Sequence, residues 1–521
     1  MSPSKIEKEK RKRVEEPVDV EIKAKKNKKD KKDKKNKKEK KEKKEKSETQ
    51  ENASEQTSVT ATLETLADYK YEQHSDLTAL DSATIEAYYK EHSVDVQGDL
   101  KLRPLLQFNY MRLPSNIMQV FKKFDKPTPI QATTWPISLS GRDIIGIAET
   151  GSGKTYAFTI PGLVHISSKL HKNTSVKNKK PTMLVVSPTR ELAMQSQEQA
   201  SEAGKAIGIT SVCLYGGVSK ESQRAELQRG VDIIVATPGR LIDLINEGYC
   251  DLSEVSFLVL DEADRMLDDG FEKDIRAIMD STPKSRQTLM FSATWPESIR
   301  KLAHEYLNNP MRVSIGSTDL AASNNVKQIV EVVDNPRDKE HKLIQLLNKI
   351  HRGRQNRVLV FALYKKEATR VENTLSRSGF KVVGIHGDKN QAHRTQALSQ
   401  FKDGSLPLMV ATDVAARGLD IPDVEYVINL TFPLTIESYV HRIGRTGRGG
   451  KKGTAYTFFT PEDKSHSGEL INVLKQANQP VPDALLKFGT TVKKKTHGAY
   501  GAFFKETADA PKATKIVFSD D

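Results

Sequence analysis

The chain reads as an α/β protein: two parallel-sheet halves in tandem, with a charged, disordered N-terminal extension before them and a short C-terminal tail after them. Three observations carry that reading. From about residue 106, short β-branched runs alternate with longer helical stretches, the pattern of strands joined by crossover helices. Polar motifs follow directly on the ends of those runs, where open α/β sheets collect their ligands. The alternation then pauses at a small, polar stretch, Gly316-Ser-Thr-Asp-Leu-Ala-Ala-Ser-Asn-Asn325, and starts again. The 521 residues accordingly divide into an extension (1–105), a first half (106–315), a linker (316–326), a second half (327–490) and a tail (491–521).

The extension is defined by charge. Residues 23–46 hold 16 lysines against five acids, a surplus of 11, and Lys-Lys-X recurs seven times from Lys25 to Glu45 with no apolar residue between Lys25 and Lys46. Such a stretch has no face to bury. It can serve as a solubilising tail, a nuclear-import signal helped by Lys10-Arg-Lys-Arg13, or a nonspecific RNA contact. Residues 47–100 reverse the sign, with twelve acids against Lys70 and Lys90. Since the first hundred residues nearly cancel, most of the net +14 falls on residues 101–521, and the body itself favours a polyanionic partner. The two cysteines, Cys213 and Cys250, and the lack of any signal-peptide pattern or apolar run of about 18 residues predict neither disulfides nor a membrane span.

In the first half, the run 143–147 leads into Ala148-Glu-Thr-Gly151-Ser-Gly153-Lys154-Thr155, a phosphate-loop pattern whose first glycine is Ala148. Gly151 and Gly153 let the backbone aim its amides at phosphate oxygens, and the helix behind adds its positive end. Lys154 is expected to reach the β and γ phosphates, and the Thr155 hydroxyl to hold Mg²⁺. The runs 182–186, 233–235 and 288–291 lead into Ser187-Pro-Thr-Arg-Glu191, Ala236-Thr-Pro-Gly-Arg240 and Ser292-Ala-Thr294. The run 255–260 ends in Asp261-Glu262-Ala263-Asp264. Two adjacent carboxylates at a strand end can divide the work: Asp261 for the metal, Glu262 for orienting and deprotonating water. Upstream, Phe124-Asp-Lys-Pro-Thr-Pro-Ile-Gln131 offers a ring that can stack on a base and an amide matching the N6/N7 edge of adenine.

In the second half, the runs 357–361, 381–385, 408–410, 424–429 and 454–459 read as strands. Polar motifs follow three of them: His386-Gly-Asp388, residues 411–420, and His441-Arg-Ile-Gly-Arg445-Thr-Gly-Arg448. There is no second phosphate loop, so this half completes a nucleotide site rather than owning one. Phosphoryl transfer draws on an arginine finger worth about 10³ to 10⁵ in rate, and the first half offers no obvious one. Arg445 and Arg448 are the candidates; plain phosphate-backbone binding is the alternative for an Arg-rich segment.

Phe124 to Gln131, AETGSGKT at 148–155, PTRELA at 188–193, Gly216-Gly217, TPGR at 237–240, DEAD at 261–264, SAT at 292–294, HGD at 386–388, ATDVAARGLD at 411–420 and HRIGRTGR at 441–448 stand in an order that resembles the DEAD-box RNA helicases. The resemblance covers about residues 106–490. It implies two RecA-like domains that clamp ATP, with Mg²⁺, and single-stranded RNA between them. The ATP contacts it implies are Phe124, Gln131 as selector of adenine, Ala148, Glu149, Thr150, Gly151, Ser152, Gly153, Lys154, Thr155, and Asp420 on the ribose. Ser292 and Thr294 would couple hydrolysis to strand separation, His441 would join the network around the γ-phosphate, and Asp264 would link the site to Ser292, Thr294 and the opposite half. The RNA contacts it implies are Pro188, Thr189, Arg190, Gly217, Thr237, Gly239, Arg240, Gly387, Asp388, Arg394 and Thr412, suited to phosphate and 2′-OH recognition without base reading. Lys123 stands where the family has a glycine and Glu149 where glutamine is more frequent, which points at most to a changed ATP affinity. The lysine repeat, IIGIAETGSGKT and the acidic end Ser519-Asp-Asp521 are similar to fungal nucleolar members that act in pre-rRNA processing and large-subunit assembly. This narrower similarity implies a monomer working in the nucleus and nucleolus beside pre-ribosomal proteins. An ATP-gated RNA clamp or assembly scaffold is the alternative activity.

Overall fold

The computed structural model describes residues 69–149, 151–170, 180–268, 270–316, 325–413, 424–448 and 451–490. The lysine repeat, most of the linker, Thr150, Asp420 and the 491–521 tail lie outside the described residues.

Two sheets are present, as expected. The first holds β1 (Val94–Gln97), β2 (Ile144–Ile147), β3 (Met183–Val186), β4 (Ser211–Leu214), β5 (Ile233–Ala236), β6 (Phe257–Leu260), β7 (Gln287–Ser292) and β8 (Met311–Ile315), in the order β1-β8-β2-β7-β6-β3-β5-β4. The second holds β9 (Val326–Val332), β10 (Arg357–Ala362), β11 (Val382–Ile385), β12 (Leu408–Thr412), β13 (Val424–Asn429) and β14 (Gly453–Phe459), in the order β11-β12-β10-β13-β14-β9. Every ladder is parallel except β1 against β8.

The interior strands are buried on both faces, which is why they read as unbroken apolar runs. Along β10 the pleat sends Leu359 and Phe361 into one core, with Phe401 and Tyr439, and Val358, Val360 and Ala362 into the other, with Leu375 and Phe458. In the first sheet β7 lies between β2 and β6. The phosphate loop after β2 and the Asp-Glu pair after β6 therefore flank the end of β7, where Ser292 sits.

The last part of the extension, which was expected to be largely disordered, is structured. Helices Ser75–Ala79 and Ser82–Glu91 precede β1, and Leu77, Ile85 and Leu105 are buried. The acidic surplus obscured these few anchors, which cover one edge of the first sheet through β1. Strands β4 and β9 were not foreseen either. β9, which begins inside the expected linker, is a sheet edge whose burial alternates, so Lys327 and Glu331 interrupt its apolar run. No described helix is long and apolar enough to cross a membrane.

Candidate nucleotide site and nucleic-acid groove

Chain order dictates where the charged groups meet. Helix Lys154–Leu170 follows β2, with Gly151 and Gly153 in the left-handed region at φ +82° and +93°. The Lys154 ammonium donates to Ala148 O at 2.9 Å and Glu149 O at 3.3 Å. Ala148 N in turn donates to Ser292 O at 3.0 Å, tying the loop to the end of β7.

One cavity gathers Phe124, Gln131, Gly151, Gly153, Lys154, Thr155, Asp261 and Glu262 from the first half and Arg445 and Arg448 from the second. Arg448 lies against the phosphate loop: a Cβ on Gly151 would come within 3.2 Å of its Cδ and 3.3 Å of its Cζ. Gln131 is held at both ends, its Oε1 accepting from Thr128 N at 3.1 Å and its Nε2 donating to Gly153 O at 3.0 Å. Phe124 is half-exposed at the rim, edge-on to Tyr156 and under the Lys123 ammonium.

Asp261, Glu262 and Asp264 are buried. Burial pushes Asp261 up to about 7, against the pull of Lys154 and with a further push from Glu262. Local desolvation in the loop also raises Glu149, although its side chain stays exposed to solvent, with Lys154 and Arg448 opposing. Glu262 adopts φ +50°, a conformation that costs an L residue on the order of 1 kcal/mol and is held here by its surroundings. Asp264 does not reach the cavity. Its Oδ2 accepts from Thr294 N at 3.0 Å and Thr294 Oγ1 at 2.8 Å, and Ser292 Oγ donates to Thr294 O at 2.8 Å. Asp264, Ser292 and Thr294 thus form one unit behind the site. His441, in helix Ile436–Ile443, is not in the wall, nor are Ala148, Glu149 and Ser152.

Asp261 Oδ1 is buried with no hydrogen-bond partner. Beside the phosphate loop, an unpartnered carboxylate oxygen suits a divalent cation, so the residues fit Mg²⁺. Among the described residues no three His, Cys, Asp or Glu side chains cluster to hold a metal unaided.

A second, more open groove runs over the ends of β3 and β5. It is walled by Pro188, Thr189, Arg190, Gly217, Thr237, Gly239 and Arg240 from the first half and Gly387 and Arg394 from the second. A Cβ on Gly239 or Gly387 would meet nothing within 4 Å, so their backbone is open to an approaching chain. The halves are joined here by Arg394 and Glu191 at 2.6 Å, with the Gln391 amide donating to Glu191 Oε1 at 3.3 Å. Two candidates fall outside the wall: Asp388, paired with Lys365 at 2.7 Å, and the buried Thr412 at the end of β12.

The sequence reasoning missed Lys126, Thr128, Tyr156, Leu192, Gln195 and Gln199 in the first cavity, and Glu191, Asp243, Phe271 and Lys389 in the second. Leu192, Gln195 and Gln199 follow at helical spacing on helix Arg190–Lys205, a signal that was available. Phe271 and Lys389 carried none.

Residues 128–302 match the DEAD/DEAH box helicase family and residues 338–450 the helicase conserved C-terminal domain. DEAD-box ATP-dependent RNA helicase 5 of Oryza sativa subsp. japonica is 58% identical over 81% of this chain and 83% of its own length. The ATP-dependent RNA helicase DBP3 of Saccharomyces cerevisiae is 54% identical over 86% of this chain and 85% of its own. The solved structure of S. cerevisiae Dbp5 bound to RNA and ADP BeF3 matches with a TM-score of 0.62 at 28% identity, covering 74% of this chain and 94% of that one.

Proposed function

Because this chain belongs to the DEAD-box ATP-dependent RNA helicases, we propose that its ATP hydrolysis drives local unwinding of short RNA duplexes, with the two halves closing on ATP and RNA together. The observation that carries this reading is the shared wall of the nucleotide cavity, where Arg445 and Arg448 of one half face Lys154, Asp261 and Glu262 of the other.

In this reading Gln131 and Phe124 take the adenine, and the phosphate-loop amides and Lys154 hold the phosphates. Glu262 orients the attacking water and accepts its proton. Arg445 and Arg448 place positive charge where the γ-phosphoryl becomes more anionic, and only in the closed form. Thr155 and Asp261 would hold Mg²⁺, which would neutralise phosphate charge. The Asp264, Thr294 and Ser292 unit passes closure between the nucleotide cavity and the end of β7. In the groove, Arg190, Arg240 and Arg394 meet backbone phosphates, and the glycine amides accept close approach without reading bases.

The cellular role belongs to the same proposal: pre-rRNA processing and large-subunit assembly in the nucleolus, by a monomer among pre-ribosomal proteins. Its support is the lysine repeat at 23–46 with the basic cluster at 10–13. Glu262→Gln tests the chemistry: ATP and RNA binding persist while RNA-stimulated turnover is lost. An unchanged kcat refutes the assigned base. Crosslinking of the bound RNA in cells tests the role; recovery of messenger RNA without ribosomal precursors overturns it.

A further inference from the structure

Helix Pro129–Leu139 contains Pro136. A proline has no N–H, so the carbonyl of Ala132, four residues earlier, loses the donor an uninterrupted helix would supply. Ala132 is fully buried, and a buried acceptor left bare is costly. The missing donor comes from elsewhere in the chain: Leu105 N donates to Ala132 O at 2.8 Å.

Leu105 ends a segment that is itself firmly attached. β1 pairs with β8 from Val94 to Gln97, and the Asp99 carboxylate meets Arg142 at 2.9 Å. Arg103 donates to Leu77 O at 2.9 Å and also to Leu80 O, fastening the helical start of the segment to the stretch that leads to Leu105. The other side of the joint is the nucleotide site, because Gln131 immediately precedes Ala132. There is little slack between them and the phosphate loop: a Cβ on Gly153 would lie 2.7 Å from Gln131 Nε2. A displacement of a few tenths of an ångström at Ala132 is therefore transmitted to Gln131 and Gly153.

We propose that residues 69–105 are a positioning element of the adenine subsite, acting through the Leu105 N–H on the Ala132 carbonyl that Pro136 leaves open. Leu105 touches no substrate; it fixes the helix that presents Gln131. The inference rests on the reading of Gln131 as the adenine contact.

The test uses the full chain with saturating RNA, comparing KM and kcat for ATP and GTP, and binding of a fluorescent ADP analogue. Leu105→Pro removes the donor, whereas Leu105→Ala keeps it and removes only the side chain. Leu105→Pro is expected to raise KM for ATP about tenfold, with kcat within about twofold, and to narrow the preference for ATP over GTP correspondingly. Leu105→Ala should shift both much less. Pro136→Ala supplies an intrahelical donor to Ala132, so the double variant Leu105→Pro/Pro136→Ala should regain most of the lost affinity, which a merely structural defect would not do. Should Leu105→Pro fail to fold, Arg103→Ala loosens the segment at a distance and is expected to move the same ratio in the same direction. Gln131→Ala separates the two ideas. If it leaves the ATP preference intact, the adenine reading fails and the proposal falls with it. If it abolishes the preference while the Leu105 and Arg103 variants match the wild type, positioning by the segment is overturned.

Discussion

Arg448→Ala is the sharpest test of a site shared between two halves. The side chain is anchored by Nε donating to Gly444 O at 2.9 Å and rests against Gly151, whose φ of +82° and lack of a Cβ make room for it. Local desolvation raises the exposed Glu149 close by, with Lys154 and Arg448 both opposing, so the guanidinium already belongs to the electrostatics of the phosphate loop. An arginine finger contributes about 10³ to 10⁵ in rate. Arg445 remains buried in the same wall after the substitution, so the lower end applies: a loss of about 10³, or about 4 kcal/mol of transition-state stabilisation. Ground-state binding should hardly change, because Lys154 and the loop amides still hold the phosphates; a shift below about threefold is expected. The assay is RNA-saturated single-turnover hydrolysis by quenched flow, beside equilibrium binding of a non-hydrolysable ATP analogue. Arg448→Lys should recover only part of the rate, since an ammonium lacks the planar fork. Equal losses in binding and hydrolysis, or a hydrolysis defect under about tenfold, refute the assignment.

Three other outcomes follow from the packing and charge. Arg442, 1% exposed, meets Asp413 through Nε and Nη2 at 2.7 and 2.6 Å, donates to Thr431 O and covers the Phe361 ring at 5.2 Å. Arg442→Leu strips Asp413 of that guanidinium and should destabilise the second half by about 3 kcal/mol, read by urea denaturation; a loss under about 1 kcal/mol contradicts the packing argument. Burial, helped by Lys169, pushes the His165 imidazole down to about 4, below its free value of 6.5. The unfolded chain therefore takes the proton first on acidification, and stability present above pH 6.5 is lost as the pH falls towards 4, by about 3 kcal/mol at most. His165→Gln should flatten that part of the profile, and an unchanged slope between pH 6.5 and 4 assigns the titration elsewhere. Lys389 lines the open groove, so Lys389→Ala should weaken all single-stranded RNAs alike and lower the salt slope of binding by about one; loss confined to one sequence contradicts phosphate recognition.

What was legible in the chain, and what was not, divides along a physical line. Strands buried on both faces announce themselves as apolar runs, and the chemistry that follows them must gather at one sheet edge, so the phosphate loop after β2 and Asp261-Glu262 after β6 could be assigned to one site in advance. Three of the four edge strands were not so visible, β11 being the exception. β1, β4 and β9 alternate more covered with more exposed positions, and only the pairing partner reveals them. Pairings between separate strand ends were legible only through the family resemblance, not from the residues themselves. The Asp264 and Thr294 hydrogen bonds depend on β6 and β7 being neighbours, and the positive φ of Glu262 is imposed by the packing around it.

Pro136 lies between these cases and shows why. Its position inside helix Pro129–Leu139 is plain from the sequence, and so is the consequence that Ala132 O needs a donor. Nothing in the sequence says that the donor is Leu105, 27 residues earlier. A sequence states such demands locally; what answers them is fixed by topology. Here the answer comes from a segment whose acidic composition placed it in a largely disordered extension. The elements composition would discard are therefore worth testing first wherever a helix that carries a binding residue is left with an open carbonyl.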